Sequence, residues 1–389
     1  MSVTSPKGFR AAGVAAGLKT SGAKDVALVV NDGPDQIAAA VFTTNRIQAA
    51  PVVWSQSQVT KTGTARGVVL NSGGANAATG AAGLADTEQT AQRAAQLLET
   101  TPEQVLVCST GLIGVRLPMP ALLSGLEAAH SELSDSATAG ANAAAAIMTT
   151  DTVSKTVVVE RAGWSVGGIA KGAGMLAPGM ATMLVVLTTD AVTDSATLDA
   201  ALRAATSVTF DRVDSDGCMS TNDTVIALAS GASAVTPSPD ELAQALHEAS
   251  ANLARQLVAD AEGATHDIAI TVQNASTEMA ALIVARAISR SNLFKTAVFG
   301  NDPNWGRIIS AAGTIPAEIA PFDPHEIDVY VNDVQVCRGG GVGEDRSLVD
   351  MTPREVQVVV DLHAGSATAT VWTNDLTHDY VHENSAYSS

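Results

Sequence analysis

Aromatic residues are scarce: Phe, Trp and Tyr together make up 3% of the 389 residues. That leaves little for stacking nucleic-acid bases or building aromatic cages. Any core must come mainly from Ala, Val, Leu and Ile. Positive charge is short as well. Against 40 acidic residues stand 22 Lys and Arg, a net charge of −18. This argues against a nucleic-acid partner, because a phosphate backbone calls for clustered cations. Solubility is the ordinary reason for such acidity. The three cysteines (Cys108, Cys218 and Cys337) are odd in number, far apart and without a CxxC. They suit a reducing compartment better than a disulfide framework. No uncharged apolar stretch reaches the length of a membrane span, and the opening MSVTSPKGFRAAG lacks the apolar core of a secretory signal. The expectation is a soluble, cytoplasmic protein with no membrane partner.

Several catalytic signatures are missing too. There is no GxSxG elbow, no HExxH and no GK[ST] at P-loop spacing, and the seven histidines are scattered. Asp211–Asp223 contains a DxDG fragment, but the rest of a calcium loop and its closing glutamate are absent. No metal site is expected. Cys108, running in a strand, reads as a buried and inert thiol.

What is present is apolar material: 46% hydrophobic residues against 16% charged, enough for a sizeable core. One stretch, Lys171 to Asp190 (KGAGMLAPGMATMLVVLTTD), changes character midway. Glycine, alanine and proline give way to the apolar run Met183–Leu187, the pattern of a strand buried on both faces. Thr182 sits at the join, after Ala181. It is either a threonine that starts a strand or a nucleophile placed where a loop enters a rigid element. Attack of Thr182 on the Ala181 carbonyl would give an ester by N-to-O acyl shift, which water would open. The freed α-amine, with an ordinary pKa of roughly 7.7–8.0, can take the proton of its own hydroxyl. Cleavage would leave an α chain of residues 1–181 and a β chain of residues 182–389.

Elsewhere the spacing predicts strands over Val26–Asn31, Ile37–Thr43 (the two forming an antiparallel pair), Pro51–Trp54, Gly67–Asn71 and Val105–Cys108. A hairpin is expected over Val157–Ala170, and more strands at Val225–Ala229, Asp267–Val272 and in four short runs after Ile327. Helices are expected over Asp86–Glu99 with Asp86 as N-cap, and over Pro118–His130, Ala139–Met148, Ala196–Ala205, Pro239–Glu262 and Glu278–Ser289. The run Asn71–Gly83 reads as an irregular linker or as a loop presenting backbone N–H groups. Gly111, just after the strand of Cys108, can turn such groups outward. No repeat or linker divides the chain, and the pattern suits stacked sheets covered by helices.

Taken together, several motifs resemble one family. They are Lys171–Asp190, CSTGLIG (Cys108–Gly114), IMTTDT (Ile147–Thr152), MSTNDT (Met219–Thr224), DAEG (Asp260–Gly263), DPNWGR (Asp302–Arg307) and the ENSAYSS tail. The combination is similar to the bifunctional ornithine acetyltransferases, the glutamate N-acetyltransferases of the cyclic arginine pathway. That resemblance implies an αββα sandwich of the DmpA/ArgJ-like type, cleaved into α and β chains that assemble as an α2β2 heterotetramer. It matches Thr182 to the self-cleaving nucleophile and Thr110 with Gly111 to the oxyanion hole. It matches Thr150 (with the adjacent Thr149 as the alternative), Lys171, Thr182, Glu262, Asn384 and Ser389 to substrate contacts. Lys171 would pair with an α-carboxylate and Glu262 would attract an ammonium.

The activity it implies is acetyl transfer from N2-acetylornithine to L-glutamate through acetyl-Thr182. No cofactor is required, and acetyl-CoA is a second donor to test. A self-processing aminopeptidase on the same scaffold, and an unprocessed binding protein, are the competing readings.

Overall fold

The computed structural model describes residues 2–177 and 183–386. They divide into two units. Unit 1 holds residues 2–175, 183–211 and 219–257; unit 2 holds 176–177, 212–218 and 258–386.

Strands of unit 1 are β1 (Phe9–Val14), β2 (Val26–Asn31), β3 (Ile37–Phe42), β4 (Gly67–Ser72), β5 (Val105–Thr110), β6 (Lys155–Arg161), β7 (Trp164–Lys171), β8 (Leu184–Thr189) and β9 (Thr224–Ala229). Its helices are α1 (Ala50–Thr62), α2 (Gly80–Leu97), α3 (Met119–Ser131), α4 (Ala137–Ala146), α5 (Ser195–Ser207) and α6 (Pro239–Ala259). Two sheets form, ordered β1-β2-β4-β5 and β3-β9-β8-β7-β6. They face each other. Ala27, Val29, Leu70 and Leu106 of the first share a core with Ala40, Ile169, Val186 and Ile226 of the second.

Successive residues of a strand point to opposite faces. Val26, Leu28, Val30, Val69 and Val107 therefore turn outward, onto Ala91 and Ala94 of α2 and Leu122 and Leu126 of α3. Both faces are buried, so these strands are continuous apolar runs. On the far side, α5 packs on β3, and Gln256 of α6 bonds both the Thr156 N–H and its carbonyl, at 3.2 and 3.0 Å. The unit is the expected αββα sandwich.

Helix α1 covers the edge of the first sheet. Its Trp54 indole donates to the Val105 carbonyl at 3.0 Å, and the Ser55 hydroxyl bridges the N–H and carbonyl of Val107, each at 2.8 Å. Pro51–Trp54, expected as a strand, is thus the first turn of α1. Pro51 lacks an N–H that the first turn does not use, so proline is well tolerated there.

The expected pairing of Val26–Asn31 with the next strand also fails. β2 pairs with β1 and β4, while β3 pairs with β9 in the other sheet. The turn between them is tied at one end to the Gly8 carbonyl through Asp32 N–H, and at the other to the Ser230 carbonyl through Asp35 N–H. Asp86 is no N-cap, because α2 begins six residues earlier, at Gly80. The side chain of Asp86 is buried and forked to Arg116 at 3.0 and 2.6 Å. The run Asn71–Gly83 is correspondingly less irregular than expected, lying partly in β4 and partly in α2. Helix α6 stops at Ala259, before DAEG, and Gly263 takes its left-handed φ of +62° in the following turn rather than as a helix cap.

Unit 2 carries β10 (Asp267–Ala275), β11 (Asp328–Val331), β12 (Val334–Arg338), β13 (Gly341–Val342), β14 (Glu355–Asp361) and β15 (Ala367–Asn374), ordered β13-β12-β11-β14-β10-β15. Its helices are α7 (Glu278–Ser289), α8 (Asn292–Phe299), α9 (Trp305–Ala312) and α10 (His378–Ala386). Ile268, Ile270 and Val272 alternate along β10 toward Ala281, Ala285 and Ile288 of α7 and Phe294 of α8.

Removing the Ser55 hydroxyl would leave a buried N–H and a buried carbonyl at Val107 with less satisfaction. Ser55→Ala is expected to cost about 2 kcal/mol of stability, read as a lower urea midpoint. An unchanged midpoint would show that the edge cover contributes nothing.

Candidate active site

The end of β5 is where the sequence places an oxyanion hole. Outward groups on this edge strand alternate. The Val105 carbonyl takes Trp54, Val107 takes Ser55, and the Ser109 carbonyl takes the Asn222 amide at 2.8 Å. Gly111 follows directly on the end of this strand. Its φ of +133° suits glycine alone, and a Cβ there would meet the Gly74 nitrogen at 2.5 Å. The glycine-rich run frames this turn. Gly74 N–H donates to the Thr110 carbonyl at 3.0 Å, Ala75 N–H to Leu112 at 3.0 Å, and Gly114 N–H to Ala77 at 2.9 Å. Asn71 links the two sides, accepting from the Ser109 hydroxyl at 2.6 Å and donating to the Gly74 carbonyl at 3.1 Å. Of the two readings of Asn71–Gly83, the linker does not fit, since the run lies within unit 1 and is bonded to the turn after β5. Thr110 itself is 3% exposed.

Ala181 and Thr182 lie outside the described residues. The residue that follows them is held firmly. Met183 N–H donates to Asp223 Oδ1 at 3.1 Å. Asp223 is wholly buried, and burial drives its carboxyl well above the usual range, despite Met183 N–H and the Ser220 hydroxyl. Its neighbour Asn222 donates to both the Ala75 and Ser109 carbonyls, at 2.6 and 2.8 Å. Two consecutive residues thus tie the start of β8 to the end of β5. The motif MSTNDT was visible in the sequence, but neither residue could be given a role there. The only available signal was a pair of polar side chains directly before a wholly apolar strand.

Lys171 ends β7 and is 2% exposed, so it does not merely solvate a loop. Its Nζ lies 3.9 Å from Asp151 Oδ2, while Lys155 Nζ reaches Asp151 Oδ1 at 2.7 Å and Gly172 N–H donates to that oxygen at 2.6 Å. Burial alone would raise the Asp151 carboxyl; Lys171 and Lys155 outweigh it and hold it at about 2. Two buried ammonium groups therefore stand beside this one carboxylate. Thr150 is half-buried in the turn just before Asp151, and the Thr149 N–H is bonded to Asp151 Oδ2 at 2.9 Å.

In unit 2, Asn384 of α10 donates to Glu262 Oε2 at 2.8 Å, which brings two of the expected substrate contacts together. Burial, with Asp216 and Glu262 nearby, pushes the Tyr380 hydroxyl up to about 12. Ser389 lies outside the described residues. Among the described residues, no group of three or more His, Cys, Asp or Glu is placed to hold a metal ion, and no helix is long and apolar enough to cross a membrane.

The chain matches the ArgJ family over residues 10–389. It is 62% identical over 389 residues to the arginine biosynthesis bifunctional protein ArgJ of Streptomyces coelicolor and 59% to that of Thermobifida fusca, each alignment covering 100% of both chains. A solved structure, ornithine acetyltransferase complexed with ornithine from Mycobacterium tuberculosis, is 55% identical, with a TM-score of 0.45 over 47% of this chain and 96% of that one. The chain belongs to the ArgJ family, the bifunctional acetyltransferases of arginine biosynthesis.

Asp151 titrates lower in the folded protein than its ordinary 3.8, so its stabilisation is complete above about pH 4 and fades as pH falls toward 2. Asp151→Asn is expected to lose about 2 kcal/mol at pH 7, with the gap to wild type closing between pH 4 and 2. Urea midpoints across that range test this. A gap independent of pH would assign the loss to packing.

Proposed function

We propose that the protein cleaves itself between Ala181 and Thr182 and then acts as a ping-pong glutamate N-acetyltransferase. Thr182 Oγ attacks the Ala181 carbonyl carbon, the peptide C–N bond breaks, and the amine of Thr182 is released as an ester forms. Water hydrolyses that ester, leaving the α chain 1–181 and the β chain 182–389. The new amine then takes the Thr182 hydroxyl proton as Oγ attacks the acetyl carbonyl of N2-acetylornithine. Thr110 and the Gly111 N–H receive the developing oxyanion. Collapse breaks the amide bond, and the proton goes to the departing ornithine amine. The amine of L-glutamate attacks the acetyl ester next, giving N-acetylglutamate and free Thr182. Lys171 and Thr150 hold the substrate carboxylate end, and Glu262, Asn384 and Ser389 hold the amino acid. These steps need no metal or prosthetic group. Acetyl-CoA serves as a second acetyl donor, and the cleaved chains assemble as a cytoplasmic α2β2 heterotetramer.

One observation carries this reading: Asn222 and Asp223, adjacent in sequence, bond the end of β5 and the residue after Thr182. That tether supports a nucleophile next to an outward N–H.

Intact-mass spectrometry should find two chains in wild type and one full-length chain in Thr182→Ala, with transfer reduced roughly 10⁴-fold or more. Thr182→Ser should retain part of the cleavage. A single full-length mass in active protein would overturn the nucleophile assignment, and acetate release without need of glutamate would favour the hydrolase instead. Lys171→Ala should raise KM for N2-acetylornithine about 10- to 100-fold, with a smaller effect on kcat. An unmoved KM in a variant with wild-type urea midpoint would remove Lys171 from carboxylate binding.

A further inference from the structure

Strands β7, β8 and β9 of unit 1 reach one end of their sheet together. Lys171 of β7 lies opposite Leu184 of β8, and Leu184 lies opposite Thr224 of β9. Met183, the residue before Leu184, thus begins a row flanked by Lys171 on one strand and Asp223 on the other. The two flanks differ in their grip. Met183 N–H donates to Asp223 Oδ1 at 3.1 Å, and the Met183 carbonyl accepts from Thr224 N–H at 3.1 Å. Both backbone polar groups of Met183 are therefore bound by one dipeptide, Asp223–Thr224. That dipeptide is itself fixed, since the Asp223 carbonyl accepts from Thr43 N–H at 2.9 Å. Asp223 Oδ2 is enclosed and has no hydrogen-bond partner among the described residues; the nearby Ser220 hydroxyl favours ionisation but does not complete it. An ionised carboxylate with one bare oxygen at this depth is costly. Burial accordingly raises the carboxyl well above its ordinary range, against the pull of Met183 N–H, Ser220 and Lys171. A neutral carboxyl still accepts an N–H through one oxygen.

We infer that Asp223 is a positioning residue for Thr182, acting through the Met183 amide, and that the reaction draws on its acceptor oxygen rather than on a negative charge. The inference rests on the reading that Thr182 is the self-cleaving nucleophile. Met183 N belongs to the peptide group that joins Thr182 to Met183. That group is planar, so Asp223 holds an atom two bonds from the Thr182 Cα and with it the plane they share. Before cleavage, Thr182 is bonded to the chain on both sides. Afterwards its one peptide link is to Met183, and the Asp223–Thr224 clamp becomes the hold on the nucleophile. Asp223 therefore acts in both reactions and matters more in the second.

Asp223→Leu removes the acceptor. In the full chain it is expected to slow self-cleavage and to lower kcat for acetyl transfer, counted per cleaved chain, about 100-fold, with KM for N2-acetylornithine within about twofold. Asp223→Asn, the conservative variant that restores an acceptor oxygen without the charge, should recover both rates to within about fivefold of wild type. A purely structural role would lower the urea midpoint without separating kcat from KM. A loss in Asp223→Asn as large as that in Asp223→Leu would make the charge essential and overturn the proposal, as would unchanged rates in Asp223→Leu. Should Asp223→Leu fail to fold, hydrogen exchange at the Met183 amide of Asp223→Asn decides: a protected amide with both rates kept supports the proposal, and a fast-exchanging amide with both rates kept overturns it. Wild type separates the two levels of the reading. If it neither cleaves itself nor transfers acetyl, the nucleophile assignment fails and this inference with it; a cleaved, active wild type beside an equally active Asp223→Leu defeats this inference alone.

Discussion

A single buried carboxylate, that of Asp151, makes the interior of unit 1 possible. Lys155 and Lys171 are 0% and 2% exposed, and two bare ammonium groups at that depth would be prohibitively costly. Asp151 meets both, and the Gly172 N–H completes one of its oxygens. Such an arrangement is seldom chosen for stability alone, since hydrophobic replacements often do as well. What it does is hold Lys171 at a fixed point where β7 ends.

The oxyanion candidate obeys a different constraint, that of an edge strand. An open edge presents unpaired N–H and carbonyl groups along its length. Unit 1 covers those of β5 one by one, with Trp54, Ser55 and Asn222, as far as Ser109. The cover stops at Gly111, where the backbone enters a region that excludes other residues. The same Asn222 that ends the cover sits beside Asp223, which holds Met183, so edge protection and placement of β8 are one device.

Much of this was legible from periodicity. Runs such as VALVV and LVVLTT have strand composition whatever their partners, and Glu278–Ser289 carries its own helix boundaries. Pairing was not legible, because β2 and β3 differ only in what their ends are tied to, and those ties come from Gly8 and Ser230, far away in sequence. Pro51–Trp54 misled because two adjacent valines favour strand locally, while the proline before them suits a helix start equally well. Thr110, Gly111, Lys171, Glu262 and Asn384 came from the combination of motifs rather than from any one of them. Asn222, Asp223 and Lys295 stayed hidden, since their significance lies in what they bond and how deeply they are buried.

Charge distribution links these findings. At −18 the chain repels anions at long range, yet its proposed acceptor is an anion. Screening reconciles the two, because at physiological salt a surface charge is felt over only about 8 Å. Inside the protein, where screening is weak, ionisable groups of both signs are buried: Lys155, Lys171 and Lys295 lie below the surface, and so do the carboxyl groups of Asp151, Asp214 and Asp375. Positive charge is scarce in this composition, and three of its lysines are spent below the surface. An acidic exterior then contributes solubility, while each buried lysine is held by a specific carboxylate or carbonyl. Burial makes those pairings matter: a lysine stripped of its partner would leave an ammonium both buried and poorly compensated, a penalty larger than the same loss would carry at the surface.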